Sequence, residues 1–157
     1  MDDLTIARAV HVLAVVHWIG GVAMVTAVIL PAIRRLAEPA RRFALFEAVE
    51  GRFARQARVS VTLAGLSGLY MTYRLDAWDR FLYPRFWWMD AMALVWALFT
   101  VMLFVAEPLF LHARLRERAA RDPDGALRSM QRAHWVLLGL SAATVAGAVL
   151  GAHGALY

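Results

Sequence analysis

The chain contains no cysteine, and that absence removes several kinds of chemistry at once. Without a thiol among its 157 residues, the protein has no disulfide, no thiolate metal ligand and no thiol redox couple. A bound metal would therefore depend on histidine, methionine or carboxylate ligands. Lysine is absent as well, so all 17 residues counted as lysine or arginine are arginines.

Polar sequence is also scarce. Hydrophobic residues make up 61% of the chain and its mean hydropathy is +0.54, which is more apolar surface than one soluble core of this size can bury. The sequence therefore predicts an integral membrane protein whose main partner is the lipid bilayer. The formal charge of +5 does not indicate nucleic acid, because the arginines lie in the breaks between apolar segments, where they set topology.

Four apolar segments are long enough to cross a bilayer core of about 30 Å as helices. They lie at residues 9–30, 58–74, 87–111 and 133–155. We therefore expect one all-α domain over residues 1–157, an integral membrane four-helix bundle. The first segment is expected to remain in the mature protein, since its start is acidic and no small-residue cleavage site follows it.

The arginines predict how this bundle is oriented. Seven of them lie in residues 34–58 and six in residues 114–132, whereas the N-terminus and the middle loop together hold only four. By the positive-inside rule, both termini face the outer side of the membrane. A multi-pass protein of a bacterial inner membrane, with the periplasm on that outer side, fits this pattern.

Residues 40–57, between the first two predicted spans, form an amphipathic pattern. Phe43, Phe46, Val49 and Phe53 recur at spacings of three and four among arginines and glutamates. We expect a helix at the inner surface whose basic face meets anionic lipid. The alternative is a docking surface for a partner protein.

Small residues recur at every fourth position in two of the predicted spans. These ladders are Gly139, Ala143, Gly147 and Gly151 in the fourth span, and Ser60, Ala64 and Gly68 in the second. They predict close contact faces, either between helices or between the protomers of a homodimer. A flat macrocycle would also need a face free of bulky side chains.

The five histidines group by their predicted depth in the membrane. His11 and His153 form an outer pair, His112 and His134 form an inner pair, and His17 lies near the midplane. Small side chains line the face of His153, which is the surrounding that a porphyrin held between helices requires. His11, His153 and His17 are therefore candidate haem-iron ligands, with His134 and His112 as weaker candidates. The alternative is that each imidazole is an ordinary polar contact.

Other polar or soft side chains also lie inside the predicted spans. Met89 and Met92, three residues apart, are candidate Cu(I) ligands that Met71 and Met24 could join, although methionine is also a common packing residue. Glu107, which precedes Pro108, and Asp90 are candidate proton relays. Their alternatives are ion pairs, with a loop arginine for Glu107 and with Arg85 for Asp90.

The first span also carries a family resemblance. The run Ala-Val-His-Val-Leu-Ala-Val-Val-His-Trp-Ile-Gly-Gly, residues 9–21, resembles the first transmembrane segment of the CopD-type copper-resistance membrane proteins and of the related HemJ-type protoporphyrinogen oxidases. Residues 46–53, running into 62–68, are similar to the HemJ-type loop and second helix. The resemblance implies a four-helix bundle, and for the HemJ branch a haem b held by the first-helix histidine, which corresponds to His11.

Two departures from the HemJ pattern bear on the activity. The pattern has a functional lysine at the start of the third helix, near residues 87–91, and this chain has no lysine. That difference speaks against protoporphyrinogen oxidation. His17 and His153 are additional to the pattern, which suggests a different haem arrangement or a second haem.

The sequence therefore predicts a haem b protein of the inner membrane with one or two haems. Its expected role is electron transfer with a redox partner or a small-molecule donor or acceptor, and as an enzyme it would be a haem-dependent membrane oxidoreductase. A copper transport or copper-resistance component using Met and His is the alternative. A haem-free structural subunit is a third possibility.

Overall fold

The computed structural model describes residues 2–155, apart from the side chains of Pro39, Ala40 and His112. Within that part of the chain the secondary structure is all helical, with no strand. α1 spans Asp3–Leu36, with a π-helical segment at Val25–Ile29, and α2 spans Pro39–Arg74. α3 consists of Trp87–Val101, a π-helical segment Met102–Leu111, and His112–Arg121. α4 spans Pro123–Ala152, and short 3-10 helices at Trp78–Leu82 and Pro84–Phe86 connect α2 to α3.

Three helical stretches are long and apolar enough to cross a membrane: Asp3–Leu36, Pro84–Leu111 and Pro123–Ala152. They contain the predicted spans 9–30 and 87–111 and nearly all of 133–155. The predicted span 58–74 is not among them, and it lies in one continuous helix, α2, together with the charged residues 40–57. The amphipathic segment is thus the first half of α2 rather than a separate helix.

α1 and α2 run antiparallel, and polar contacts join the first half of α1 to the second half of α2. At one end the Arg74 guanidinium lies 2.8 Å from the Asp3 carboxylate, which also accepts a hydrogen bond from the Tyr70 hydroxyl. Deeper in the pair, His11 bonds to α2 at Ala64, and His17 bonds to it at Ser60. Later residues of α1 contact earlier residues of α2, as antiparallel packing requires. Together these contacts fix a single register between the two helices.

The small residues of α2 allow its neighbours to approach closely. Ser60 and Ala64 are buried against α1, and a Cβ atom added to Gly68 would lie 3.2 Å from the His11 ring. On the α3 side, the Trp96 indole covers Gly65 and donates from Nε1 to the carbonyl of Val61 at 2.9 Å. The predicted contact face on α2 is therefore confirmed.

The two π-helical segments each leave one carbonyl without its usual backbone donor. In π geometry the N–H of a residue bonds the carbonyl five positions earlier, and proline has no N–H. Pro31 therefore frees the carbonyl of Thr26, and Pro108 frees that of Leu103. Side chains of other helices fill both positions: Gln131 donates to Thr26 at 3.2 Å, and Arg58 Nε donates to Leu103 at 3.0 Å.

The glycine ladder of α4 is only half used inside the chain. The rings of Trp87 and Trp88 lie directly over Gly147 and Gly151, respectively. A Cβ atom added to Gly139 would meet no atom of a neighbouring helix within 4 Å, and Ala143 is exposed. Within the described residues, the ladder therefore makes close contacts only at Gly147 and Gly151.

Gly151 and Gly139 offer a matched test of this packing. In Gly151→Ala the new Cβ would fall 2.5 Å from the buried Trp88 ring, so we expect a loss of about 1–3 kcal/mol in the free energy of unfolding. Gly139→Ala adds a methyl group to open space and should change it by less than about 1 kcal/mol. Unfolding in detergent, followed by tryptophan fluorescence, measures both, and equal effects would contradict the packing described.

Candidate functional site

His11 is half-buried between α1 and α2, and its ring is held from one side. Its Nδ1 lies 2.9 Å from the carbonyl oxygen of Ala64 and 3.1 Å from Ser67 Oγ. The Ser67 hydroxyl donates to the carbonyl of Leu63 at 2.6 Å, which leaves its oxygen to accept from His11. Because a carbonyl oxygen can only accept, His11 Nδ1 carries the hydrogen.

This tautomer is one of the two that metal-binding histidines use, the one in which Nε2 binds the metal. Such a ligand commonly donates one ring N–H to a backbone carbonyl, which orients the ring and leaves the other nitrogen for the metal. No residue of the described chain forms a hydrogen bond with His11 Nε2. His11 therefore has the tautomer and the support of an axial ligand.

His17 also bonds to α2, but its surroundings differ. Its Nδ1 lies 2.8 Å from Ser60 Oγ, a hydroxyl that can donate or accept, so this contact does not fix the tautomer. The residue is exposed on the surface of the bundle, whereas Ala14, one turn earlier, is buried. His11 and His17 thus lie on opposite sides of the buried contact between α1 and α2. Each bonds a different serine of α2.

His134 and His153 each bond a carbonyl of their own helix. His134 Nδ1 lies 3.0 Å from the carbonyl of Met130, and His153 Nδ1 lies 2.8 Å from that of Val149. The His134 ring also packs edge to face on Phe46, at 6.2 Å between ring centroids. The side chain of His112 lies outside the described residues, so the predicted inner pair is described only at His134.

His11 and His153, the predicted outer pair, bond to different helices and face different surroundings. His153 lies on the face of α4 that carries Ala142, Ala146 and Val149, all exposed, and the buried residues of this helix lie on the opposite face. His11 instead bonds into α2. The two histidines share a predicted depth, but helix rotation turns them apart. Their roles as haem ligands stay predictions.

A small cavity of about 50 Å³ lies inside the bundle near its arginine-rich end. Its polar lining comes from three helices: Glu50 of α2, Glu107 of α3 and His134 of α4. Glu107 pairs with Arg58, whose Nη2 lies 3.3 Å from Glu107 Oε2. The arginine pairing considered for Glu107 is thus confirmed, and its carboxylate faces a shared polar space.

Trp18 lines the same cavity from α1. Its side chain is 4% exposed, and its Nε1 is the one buried side-chain nitrogen or oxygen without a hydrogen-bond partner in the described part of the chain. A cavity of this volume can hold a water molecule, which would accept that hydrogen and reach the nearby carboxyl groups. The arrangement is suited to holding or passing a proton.

The remaining candidates lie apart from this cavity. The guanidinium of Arg85 stacks on Tyr83 and Phe86. The ion pair between Arg85 and Asp90 that the sequence suggested is not found among the described residues. Met24 is 53% exposed on α1, roughly 10 Å further along the helix than His17. Among the residues described, no three His, Cys, Asp or Glu side chains are grouped so that they could hold a metal ion.

Sequence reasoning missed Glu50, Arg58 and the hydroxyls of Ser60 and Ser67. Glu50 belongs to a run of alternating charges that resembles a solvated face. Ser60 was identified only as a small residue and Ser67 was not singled out, although their spacing of seven places both hydroxyls on the face that meets α1. The signal that could have identified Arg58 is its position at the boundary between the charged and apolar halves of α2.

Comparisons of the chain with models of protein families, with curated proteins and with solved structures find no match. The CopD-type and HemJ-type resemblance of residues 9–21, 46–53 and 62–68 therefore remains a prediction. What is known of the site comes from the contacts described above.

Glu50 makes the cavity testable by pH. It precedes the predicted span, and burial, together with the charges of Glu107 and Glu47, raises the pKa of its carboxyl from 4.5 to about 8. The folded protein then keeps a proton that the unfolded chain releases, so stability falls as pH rises from about 4.5 to 8. We expect a slope of up to about 1.4 kcal/mol per pH unit in the wild type.

Glu50→Gln should remove most of that slope. The matched control is Glu47→Gln, one turn earlier on α2, which removes the carboxylate paired with Arg116 and should retain most of the slope. Unfolding in detergent across this pH range measures all three proteins. A Glu50→Gln profile parallel to the wild type would contradict the role given to Glu50.

Proposed function

We propose that the chain is a haem b protein of a bacterial inner membrane, with His11 as an axial ligand of the haem iron. Its four long helices form the bundle, α2 crosses with its second half, and both termini lie on the periplasmic side. The protein moves electrons between the haem and a small-molecule donor or acceptor. The lipid bilayer is its surrounding, and a homodimer is compatible with its exposed small-residue face.

The observation that carries this proposal is the hydrogen bond from His11 Nδ1 to the carbonyl of Ala64 at 2.9 Å. It fixes the ring through a neighbouring helix and leaves Nε2 for a ligand. A polar side chain inside a bilayer costs a few kcal/mol unless it has a partner or a function. The carbonyl of Ala64 bonds only Nδ1 of His11, which supports a role for Nε2 as a metal ligand.

The fit to a haem differs among the histidines. His11 has the carbonyl-bonded tautomer and the small residue Gly68 beside its ring, which suits an iron ligand. The cavity of about 50 Å³ has room for a water molecule or two and not for a porphyrin, and His153 lies on the exposed face of α4. These features support ligation by His11 without a second histidine of the same chain.

That ligation has a consequence for the kind of reaction. Iron bound by two histidines has no free position and suits electron transfer, whereas iron bound by one histidine leaves a position for a small molecule. When bound, haem b would supply the electron-accepting and electron-donating centre. The protein's own part is to fix His11 through Ala64 and Ser67, and to hold a proton among Glu50, Glu107 and His134.

The arrangement of charge supports the orientation. Arginines concentrate where α1 ends, α2 begins and α3 joins α4, and the three apolar stretches extend away from that end. By the positive-inside rule this end faces the cytoplasm. His11 then lies toward the periplasm and the Glu50 cavity toward the cytoplasm.

The visible absorption spectrum of the purified protein tests the proposal. Expressed with haem available, the wild type should show a b-type spectrum that sharpens on reduction with dithionite. His11→Ala should lose most of the haem. His153→Ala is the matched control, since His153 lies on the exposed face of α4, and it should retain the haem. Ser67→Ala removes a support of the ligand and should weaken haem binding about tenfold.

Two results would overturn this assignment. One is a colourless wild-type protein, in which case copper measured by elemental analysis would favour the methionine alternative over a structural subunit. The other is equal haem loss in His11→Ala and His153→Ala. Far-UV circular dichroism of each variant establishes that it is folded.

A further inference from the structure

A second cavity lies at the arginine-rich end of the bundle and is separate from the histidines of α1. Its volume is about 620 Å³, which is within the range of sites that bind small ligands. α1 contributes Pro31, Arg34 and Arg35, α2 contributes Arg42, and α4 contributes the rest of the lining. We name it the arginine cleft.

One stripe of α4 forms a wall of the arginine cleft. Asp124, Arg128, Gln131 and Trp135 are spaced by four, three and four residues, so they lie along one face of the helix. Gln131 donates to the freed carbonyl of Thr26 at 3.2 Å and accepts from Arg34 at 3.3 Å. The π-helical segment of α1 is thus tied to the residue that positions Arg34.

The charges in the cleft are not balanced. Arg42 is 19% exposed and already satisfied, because it donates to Asp124 at 2.8 Å and to the carbonyl of Ala37 at 3.1 Å. Arg34 bonds only a neutral amide, and Arg128 lies 4.0 Å from Asp122, where both side chains are more than half exposed. Arg35 forms no ion pair within the described residues. Three guanidinium groups therefore share a concave site whose lining carboxylate, Asp124, is already paired with Arg42.

We infer that the arginine cleft binds a phosphate group, and that its source is the headgroup of an anionic phospholipid. Guanidinium groups bind phosphate oxygens in pairs, and basic pockets between transmembrane helices on the cytoplasmic side bind such headgroups. Trp135, 51% exposed, lies one turn beyond Gln131 toward the apolar half of α4, at the level where indoles meet the membrane interface. The inference does not depend on the proposed haem.

Lipid retention by the full-length protein tests this inference. Nanodiscs of equal phosphatidylglycerol and phosphatidylcholine deliver the protein to native mass spectrometry, which counts the lipids that stay bound. The wild type should retain phosphatidylglycerol selectively, and Arg34→Gln/Arg128→Gln should bind it about 30-fold more weakly. The control Arg52→Gln/Arg132→Gln removes the same charge from two positions outside the cleft and should match the wild type.

Equal losses in the two double variants would overturn the inference, since they would mean diffuse attraction to charge. If the first double variant does not fold, Arg35→Gln replaces it, because Arg35 forms no hydrogen bond that holds the described helices together. Excess inorganic phosphate distinguishes the sources. Retention of phosphatidylglycerol in its presence supports the lipid, whereas displacement, with a higher melting temperature in the wild type only, assigns the site to a soluble phosphate.

Discussion

The rest of the structure depends on the seam between α1 and α2. Lipid is as apolar as the helix surfaces, so the hydrophobic effect does not hold transmembrane helices together, and close packing with internal hydrogen bonds does so instead. Here Ser60, Ala64 and Gly68 let the two helices approach, and two imidazoles of α1 bond across the gap. The same contact that fixes the helices also fixes the tautomer of His11. The contact that packs α1 on α2 is therefore also the contact that prepares His11 to bind a ligand.

The prolines extend this principle to the other helices. Each π-helical segment exposes a carbonyl that lipid could not satisfy, and each carbonyl accepts from a side chain of a different helix. Arg58 thereby joins α2 to α3 beside the cavity that Glu50, Glu107 and His134 line. Gln131 joins α1 to α4 beside the arginine cleft. The two polar sites at the arginine-rich end therefore lie where the backbone departs from regular α-helix.

Much of the helical framework could be predicted from composition and spacing, and the sites only in part. The apolar runs predicted the helices, and the ladder on α2 predicted a contact face, because both depend on local pattern. Which helix packs on that face, and in which register, could not be predicted, because residue spacing identifies only the face itself. Residue depth paired His11 with His153, whereas the rotation of α4 separates them. Glu50 looked solvent-exposed because its burial depends on α3 and α4, which are distant in sequence.

The central claim is that α2 holds His11 as the Nδ1–H tautomer and so leaves Nε2 available for a ligand. Nitrogen-15 NMR of histidine-labelled protein prepared without haem measures this directly, with His11→Ala to assign the resonances. The account predicts a protonated Nδ1, an unprotonated Nε2, and a selective change at the His11 Nε2 resonance when haem is added. An Nε2–H tautomer at His11, or resonances that do not respond to haem, would contradict it.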